Sequence, residues 1–353
     1  MNRQMMKGNE AIAEAAVQAG CRFFFGYPIT PQNEIPEYMS RRLVEVGGQF
    51  VQAESEVAAI NMVYGAAGTG ARSMTSSSSP GISLKQEGIS YIAGAELPCV
   101  IVNIVRGGPG LGSIQPAQSD YYQATRGGGH GDYRMPVYAP ASVQEAVELT
   151  QRAFDVADKY RTPVMILGDG IIGQMMEPVT MPEYTAPAFD RSWAATGWKE
   201  GCGRERAVIN SLYIQPDVLE KHVNKLARKY AAISENETMV EELYMDDAEY
   251  AVVAYGTTAR IALTAVRRAR EDGVKVGLIR PVTVWPFPEK AIEDAAGRVK
   301  GMLAVEMSLG QMIDDVRLAA RDRCPVRFYG RTGGIVPGVR EIHAAILNMK
   351  EEL

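Results

Sequence analysis

An α/β fold with parallel sheets is predicted for this chain of 353 residues, on three observations. Short apolar runs alternate with helix-period segments through the first half, which implies a parallel sheet covered by helices on both faces. The alternation stops near Met176 and resumes at Tyr250, so a second α/β unit follows the first. The composition, 46% hydrophobic and 22% charged, is that of an ordinary globular protein long enough for two or three domains.

Taken in order, Asn9 to Ala19 reads as a helix with one small, apolar face, stopped by Gly20 in the position that favours a left-handed backbone. Phe23–Phe25, Phe50–Gln52, Arg72–Met74, Val100–Val105 and Val164–Leu167 read as strands. Glu56–Ala67, Ser83–Ala95 and Val143–Tyr160 read as helices. From Met176 to Asp247 the pattern is irregular, with Pro178, Pro182, Pro187, Trp193, Trp198 and a glycine patch at Gly201 to Gly203, then a charged helix from His222 to Tyr230. This stretch is expected to be an inter-domain arm whose tryptophans pack on a partner or on their own domain. Strands are expected again at Ala251–Ala254, Lys275–Ile279, Met302–Glu306 and Val326–Tyr329. The expected divisions are residues 1–176, 177–247 and 248–353.

The net charge of -5 excludes a general nucleic-acid binder, which would carry a basic face. No apolar run is long enough to cross a bilayer, and the start, Met1 to Lys7, has no signal-peptide core, so a cytoplasmic protein is expected. Cys21, Cys99, Cys202 and Cys324 are far apart. Three of them sit in or beside apolar segments, as packing thiols do. Iron–sulfur clusters need clustered thiolates, so any cluster must belong to another polypeptide. His130, His222 and His343 have no metal-site spacing.

The candidate site residues lie at strand ends. Gly26-Tyr27-Pro28-Ile29-Thr30-Pro31 follows the Phe23–Phe25 strand. Its prolines fix an extended loop and hold Thr30 at the carboxyl end of a strand, where open α/β sheets bind ligands. Glu54-Ser55-Glu56-Val57-Ala58-Ala59 opens a small-residue helix; on pattern alone either glutamate serves as a shielded acid, or simply faces the helix dipole. Thr75 to Gly81 carries Ser78 and Pro80 at a strand-to-helix junction, fit to receive an anion or to act as cap material. Arg106 ends the Val100–Val105 strand and is followed by Gly107, Gly108, Pro109 and Gly110, where backbone can approach a ligand closely.

In this order these motifs resemble the alpha subunit of the 2-oxoacid:ferredoxin oxidoreductases over nearly the whole chain, most strongly from Gly8 to Gly170. The resemblance implies a thiamine diphosphate pyrimidine-binding-type domain followed by a smaller transketolase C-terminal-like domain. It implies Glu56, from the Ser-Glu-x-Ala-Ala pattern, as the carboxyl group against N1′ of the cofactor's aminopyrimidine. Tyr27, Pro28, Ile29 and Ser78 would line the same cofactor, and Thr30 and Arg106 would hold the substrate carboxylate. The activity implied is oxidative decarboxylation of a 2-oxoacid to acyl-CoA and CO2, with ferredoxin as electron acceptor and coenzyme A as co-substrate. Gly168-Asp169-Gly170 looks like the start of the magnesium–diphosphate signature, but the required Asn-Asn pair is missing. The triplet therefore reads as a strand-end turn. Mg2+, the diphosphate half-site and the iron–sulfur clusters are assigned to partners, which the resemblance gives as beta, gamma and ferredoxin-like delta subunits. The segment Gly112 to Tyr121, with the Gly127-to-Asp132 loop around His130, most resembles the branched-chain branch, which acts on 2-oxoisovalerate. A 2-oxoglutarate enzyme would need a further cation, for which Arg126 and Arg134 are the candidates. A non-redox transketolase-type half-site and a non-catalytic regulatory subunit are the remaining alternatives.

Overall fold

The computed structural model describes residues 3–353. In chain order the first part comprises β1 (Gln4–Lys7), α1 (Gly8–Gln18), β2 (Phe23–Gly26), α2 (Glu34–Glu45), β3 (Gln49–Gln52), α3 (Glu56–Gly68), β4 (Ser73–Ser77), α4 (Ser79–Gly94), β5 (Cys99–Val105), α5 (Tyr121–Thr125), β6 (Val137–Tyr138), α6 (Val143–Tyr160), β7 (Pro163–Asp169), α7 (Gly170–Gln174) and β8 (Met176–Val179). The remainder comprises α8 (Pro216–Glu237), β9 (Val240–Leu243), β10 (Tyr250–Val253), α9 (Gly256–Glu271), β11 (Val276–Pro281), β12 (Thr283–Trp285), α10 (Glu289–Ala296), β13 (Gly301–Glu306), α11 (Met312–Ala320), β14 (Val326–Gly330) and α12 (Val339–Glu352).

The larger sheet has the strand order β12-β6-β7-β5-β4-β2-β3, parallel except for β12. Strand β5 shows why it is central. All seven of its residues are buried. Successive side chains of a strand face opposite ways. Accordingly Cys99, Ile101 and Val105 join the core that includes Ile60 and Ile89, while Val100, Val102 and Ile104 join the core built on Ile12, Leu149 and Phe154. Each such aliphatic side chain contributes about 1.5–3 kcal/mol when fully buried. Helices α3 and α4 therefore cover one face, and α1 and α6 the other.

The smaller sheet runs β14-β13-β10-β11-β9, with only β9 antiparallel. Three pairings cross the divisions expected from sequence: β1 pairs with β8, which runs into the expected arm. Strand β9, from the end of the expected arm, pairs with β11, and β12 leaves the second unit to pair with β6. The charged helix α8 is mostly exposed but buries Leu226, Tyr230 and Ile233. In the irregular stretch before it, Trp193 lies under the Arg161 guanidinium, whereas Trp198 is exposed. Among the described residues no helix is long and apolar enough to cross a membrane.

The two units are tied together by Gln118. Its Nε2 donates to the Tyr255 carbonyl at 2.9 Å, and its Oε1 accepts from Thr258 Oγ1 at 2.6 Å and from Met307 N–H at 3.0 Å. Cys21, Cys99 and Cys324 are buried free thiols, and Cys202 is exposed. Burial pushes the Cys21 and Cys99 thiols up to about 12, which keeps them protonated and inert.

Candidate active site

The chain runs from β2 to β3 on one side, then returns to place β4 and β5 on the other. The reversal makes a crevice outside the carboxyl ends of β2 and β4, the place where open α/β sheets take ligands. Thr30, Glu56, Ser78 and Arg106 all follow strands at this end.

Glu56 is the first residue of α3, started by Ser55, whose hydroxyl accepts the Ala58 N–H at 3.2 Å. The two candidate glutamates differ sharply in environment: Glu56 is buried, at 6% exposure, and Glu54 is exposed. The Glu56 carboxylate reaches across to α4 and rests on Gly81, where an added Cβ would stand 2.7 Å from Oε1. The same Cβ would collide with Ser77 Oγ, so that hydroxyl, the carboxylate and the glycine share one small space.

Lys85, one turn further along α4, is fully buried and donates from Nζ to the Glu56 backbone carbonyl at 3.4 Å. Burial lowers its ammonium to about 8, against the opposing pull of the Glu56 charge. Sequence reading missed Lys85. The signal was the spacing Gly81, Lys85, Gly88, which puts the lysine on one helix face between two glycines.

Arg106 is 9% exposed. Its NH1 donates to the Thr30 carbonyl at 2.9 Å and its NH2 to the Leu111 carbonyl at 3.3 Å. The fold brings Arg106 against Thr30 through the Thr30 backbone carbonyl, and Thr30 itself is exposed. Arg106 Nε is buried with no protein partner, as are Ser77 Oγ and Ser78 Oγ. A buried donor without a partner costs about 1–3 kcal/mol. Several such groups in one crevice mark a place shaped for a ligand. Tyr27 and Pro28 are exposed and Ile29 is half-buried on the same loop.

Beside Thr30 opens a cavity of about 600 Å³, lined by Glu34, Ile114, Gln115, Gly170 and Met175 among others. Arg126 and Arg134 are not part of it; they line a different cleft of about 970 Å³. Arg126 forms a two-pronged pair with Asp315 at 2.9 and 3.0 Å. Arg134 donates to the Tyr133 carbonyl at 2.9 Å. His130 is exposed and lines a third cavity, with His222 and Tyr91.

A shielded carboxylate with unpartnered hydroxyls fits the aminopyrimidine ring of thiamine diphosphate, whose ring nitrogen can share the carboxyl proton. The diphosphate–metal half does not fit here. Asp169 Oδ1 accepts the N–H groups of Ile171 and Ile172 at 2.8 and 3.2 Å, so the triplet is a strand-end turn capping α7. Burial raises the Asp169 carboxyl above its ordinary value. Among the described residues no group of three His, Cys, Asp or Glu side chains is placed to hold a metal ion.

Comparison with known proteins bears directly on this arrangement. The family model for the thiamine-diphosphate-binding part of pyruvate flavodoxin/ferredoxin oxidoreductase matches residues 14–242, and that for core domain II of pyruvate:ferredoxin oxidoreductase matches 248–342. The ketoisovalerate oxidoreductase subunit VorB of Methanothermobacter marburgensis is 51% identical over 343 residues, 97% of this chain and 96% of the relative. The 2-oxoglutarate synthase subunit KorA of Methanothermobacter thermautotrophicus is 39% identical over 374 residues, covering 98% of each chain. Among solved structures, the 2-oxoglutarate:ferredoxin oxidoreductase from Magnetococcus marinus, with 2-oxoglutarate, coenzyme A and succinyl-CoA bound, superposes with a TM-score of 0.88 at 25% identity. The match covers 98% of this chain and 65% of that longer one. An inactive split-gene transketolase tetramer shares the fold at a TM-score of 0.61 and 12% identity, covering 97% of each chain. By family model, by relatives along its full length and by fold, the chain belongs to the 2-oxoacid:ferredoxin oxidoreductases, as a thiamine-diphosphate-binding subunit of a multi-subunit enzyme.

Proposed function

We propose that the chain is the alpha subunit of a 2-oxoacid:ferredoxin oxidoreductase that prefers 2-oxoisovalerate and its homologues. The observation that carries this reading is the 51% identity to a ketoisovalerate subunit over both chains, against 39% to a 2-oxoglutarate subunit. The placement of Arg126 and Arg134 in a different cleft from the one beside Thr30 supports the same choice, because a 2-oxoglutarate site needs a cation for the distal carboxylate.

In this reading thiamine diphosphate, when bound, supplies the carbanion-stabilising chemistry that lets CO2 leave. The protein's part is positioning and proton control. Glu56 holds a proton shared with the pyrimidine nitrogen, and its burial keeps that proton from water. Tyr27, Pro28, Ile29 and Ser78 line the ring's surroundings. Arg106 spends two donors on the Thr30 and Leu111 carbonyls, which fix its plane. Its remaining donors, Nε among them, receive the substrate carboxylate with the Thr30 hydroxyl. The acyl group passes to coenzyme A and the electrons to ferredoxin. Mg2+, the diphosphate and the iron–sulfur clusters are held by the beta, gamma and ferredoxin-like delta subunits of a cytoplasmic complex. The unit divisions proposed remain residues 1–176, 177–247 and 248–353.

The test is kcat/KM of the assembled complex for 2-oxoisovalerate, pyruvate and 2-oxoglutarate. Pocket differences of a methylene or two give only ~10–200-fold discrimination, so the branched substrate should lead without excluding pyruvate. A clear preference for 2-oxoglutarate refutes the substrate assignment and leaves the family membership intact.

A further inference from the structure

The smaller sheet has a ligand crevice of its own. Strands β10 and β11 lie side by side, and the chain then crosses back to place β13 on the other side of β10. The reversal opens a crevice outside the carboxyl ends of β10 and β13, where a parallel α/β sheet takes a ligand. Here a side chain of the first unit fills it. Gln118 is only 3% exposed. Its amide donates to the carbonyl of Tyr255, just past β10. It accepts from Thr258, in the first turn of α9, and from the N–H of Met307, just past β13. Its backbone is seated in the same way: the Gln118 N–H donates to the Met307 carbonyl at 2.9 Å, and the Gln118 carbonyl accepts from the Tyr255 hydroxyl at 3.2 Å.

Gln118 holds the end of the loop that starts at Arg106. That loop leaves β5 at Arg106 and returns at Pro116, which pairs with Arg106 as an antiparallel bridge. The Gly107 N–H closes the neck by donating to the Gln115 carbonyl at 2.9 Å. Between these points Pro109 to Gly112, Ile114 and Gln115 are exposed. The exposed tip nevertheless supplies the Leu111 carbonyl that accepts from the Arg106 guanidinium. The plane of the guanidinium therefore depends on where the loop lies. The outgoing end is built into β5. The returning end is fixed by Gln118, two residues after Pro116. The second unit adds lesser supports: Gln311 Nε2 donates to the Ser119 carbonyl at 2.8 Å, and Gly334 lies against Gln115, where an added Cβ would stand 2.4 Å from the Gln115 Cβ.

We propose that Gln118 is a positioning residue for Arg106: seated in the crevice of the second unit, it fixes the returning end of the loop and so aims the guanidinium at the substrate carboxylate. This rests on Arg106 being the group that receives that carboxylate. The second unit then serves the reaction without touching substrate, because its strand ends hold the substrate loop where a ligand would sit. An arginine keeps its charge whatever its neighbours do, so loss of Gln118 costs aim and not charge. A charge-assisted hydrogen bond weakens steeply when its angle is lost. Binding lost equally from the ground state and the transition state raises KM and leaves kcat in place.

The experiment is steady-state kinetics of the assembled complex with 2-oxoisovalerate, beside titration with thiamine diphosphate. Gln118→Met keeps the volume and removes the three amide bonds. Its buried partners lose their bonds, so the thermal midpoint should fall whatever Gln118 does for Arg106. The deciding quantity is KM, which should rise by ~10-fold with kcat within about threefold and cofactor affinity unchanged. Thr258→Val, wholly within the second unit, removes one bond and should raise KM in the same direction by less. In the Arg106→Ala background neither change should raise KM further, because both act through Arg106. An unmoved KM in Gln118→Met, or in Thr258→Val where Gln118→Met fails to assemble, overturns the proposal. Rises in KM that add to that of Arg106→Ala, or that come with an equal loss of cofactor affinity, also overturn it, since Gln118 then only joins the units. An unmoved KM in Arg106→Ala refutes the carboxylate assignment itself, which separates the two failures.

Discussion

Gly81→Ala is the sharpest test of the geometry around Glu56. The new methyl would collide with Ser77 Oγ and stand 2.7 Å from Glu56 Oε1 and 3.1 Å from Glu56 Cγ. Carbon and oxygen are comfortable near 3.5 Å, so the carboxylate must retreat by ~0.8 Å. Ser77 is fully buried and can turn its hydroxyl only within a packed strand end. Two effects then compete. Replacing a helical glycine stabilises by about 0.5–1 kcal/mol, while overpacking costs about 1–3 kcal/mol. Overpacking wins, and the net change should be a loss of ~1–2 kcal/mol. Misplacing a reacting group by an ångström costs up to ~100-fold, so kcat of the complex should fall by roughly 10–100-fold. Gly65→Ala is the control: it lies in α3 with nothing within 4 Å of the added methyl. It should gain up to ~1 kcal/mol and keep full turnover. The assays are thermal unfolding and steady-state 2-oxoacid oxidation. Full turnover in Gly81→Ala, or a stability gain equal to that of Gly65→Ala, would show that the carboxylate does not rest on Gly81.

Other perturbations separate the remaining roles. Glu56→Gln should lower turnover of the complex by ~100-fold or more while leaving assembly intact, and Glu54→Gln should be mild; the reverse ranking in kcat reassigns the carboxylate. Arg106→Ala and Thr30→Val should raise KM for the 2-oxoacid with little change in thiamine diphosphate affinity, measured by substrate and cofactor titration; equal loss of both sinks the substrate role. Glu96 tests the fold away from the site. Burial opposes its ionisation, but Lys229 and Lys225 outweigh this and hold its carboxyl down at about 2. A folded value below the ordinary 4.5 means the stabilisation is complete above that pH and is lost as pH falls toward 2. The difference in unfolding free energy from urea titration between the native chain and Glu96→Gln should therefore shrink across that window, from ~3 kcal/mol at most; a pH-independent difference contradicts the pairing.

Sequence alone determined the sheet and helix alternation, because a strand buried on both faces is an apolar run, as Val100–Val105 is. It also determined which loops end at the ligand crevice, since proline and glycine punctuate them at Thr30 and Arg106. Burial could not be read locally. Glu54 and Glu56 are near-equals as letters, and only the packing of α3 on α4 leaves one in solvent and hides the other. Lys85 looks like any surface lysine until the glycines at 81 and 88 bring the two helices together around it. Strands β1, β6, β8, β9 and β12 escaped notice because two to four residues carry too little periodicity; they exist through partners supplied by distant parts of the chain. Arg126, offered by sequence as a free cation, is claimed by Asp315 from 189 residues away. Local chemistry decides what a residue can do, and long-range packing decides what it is left free to do.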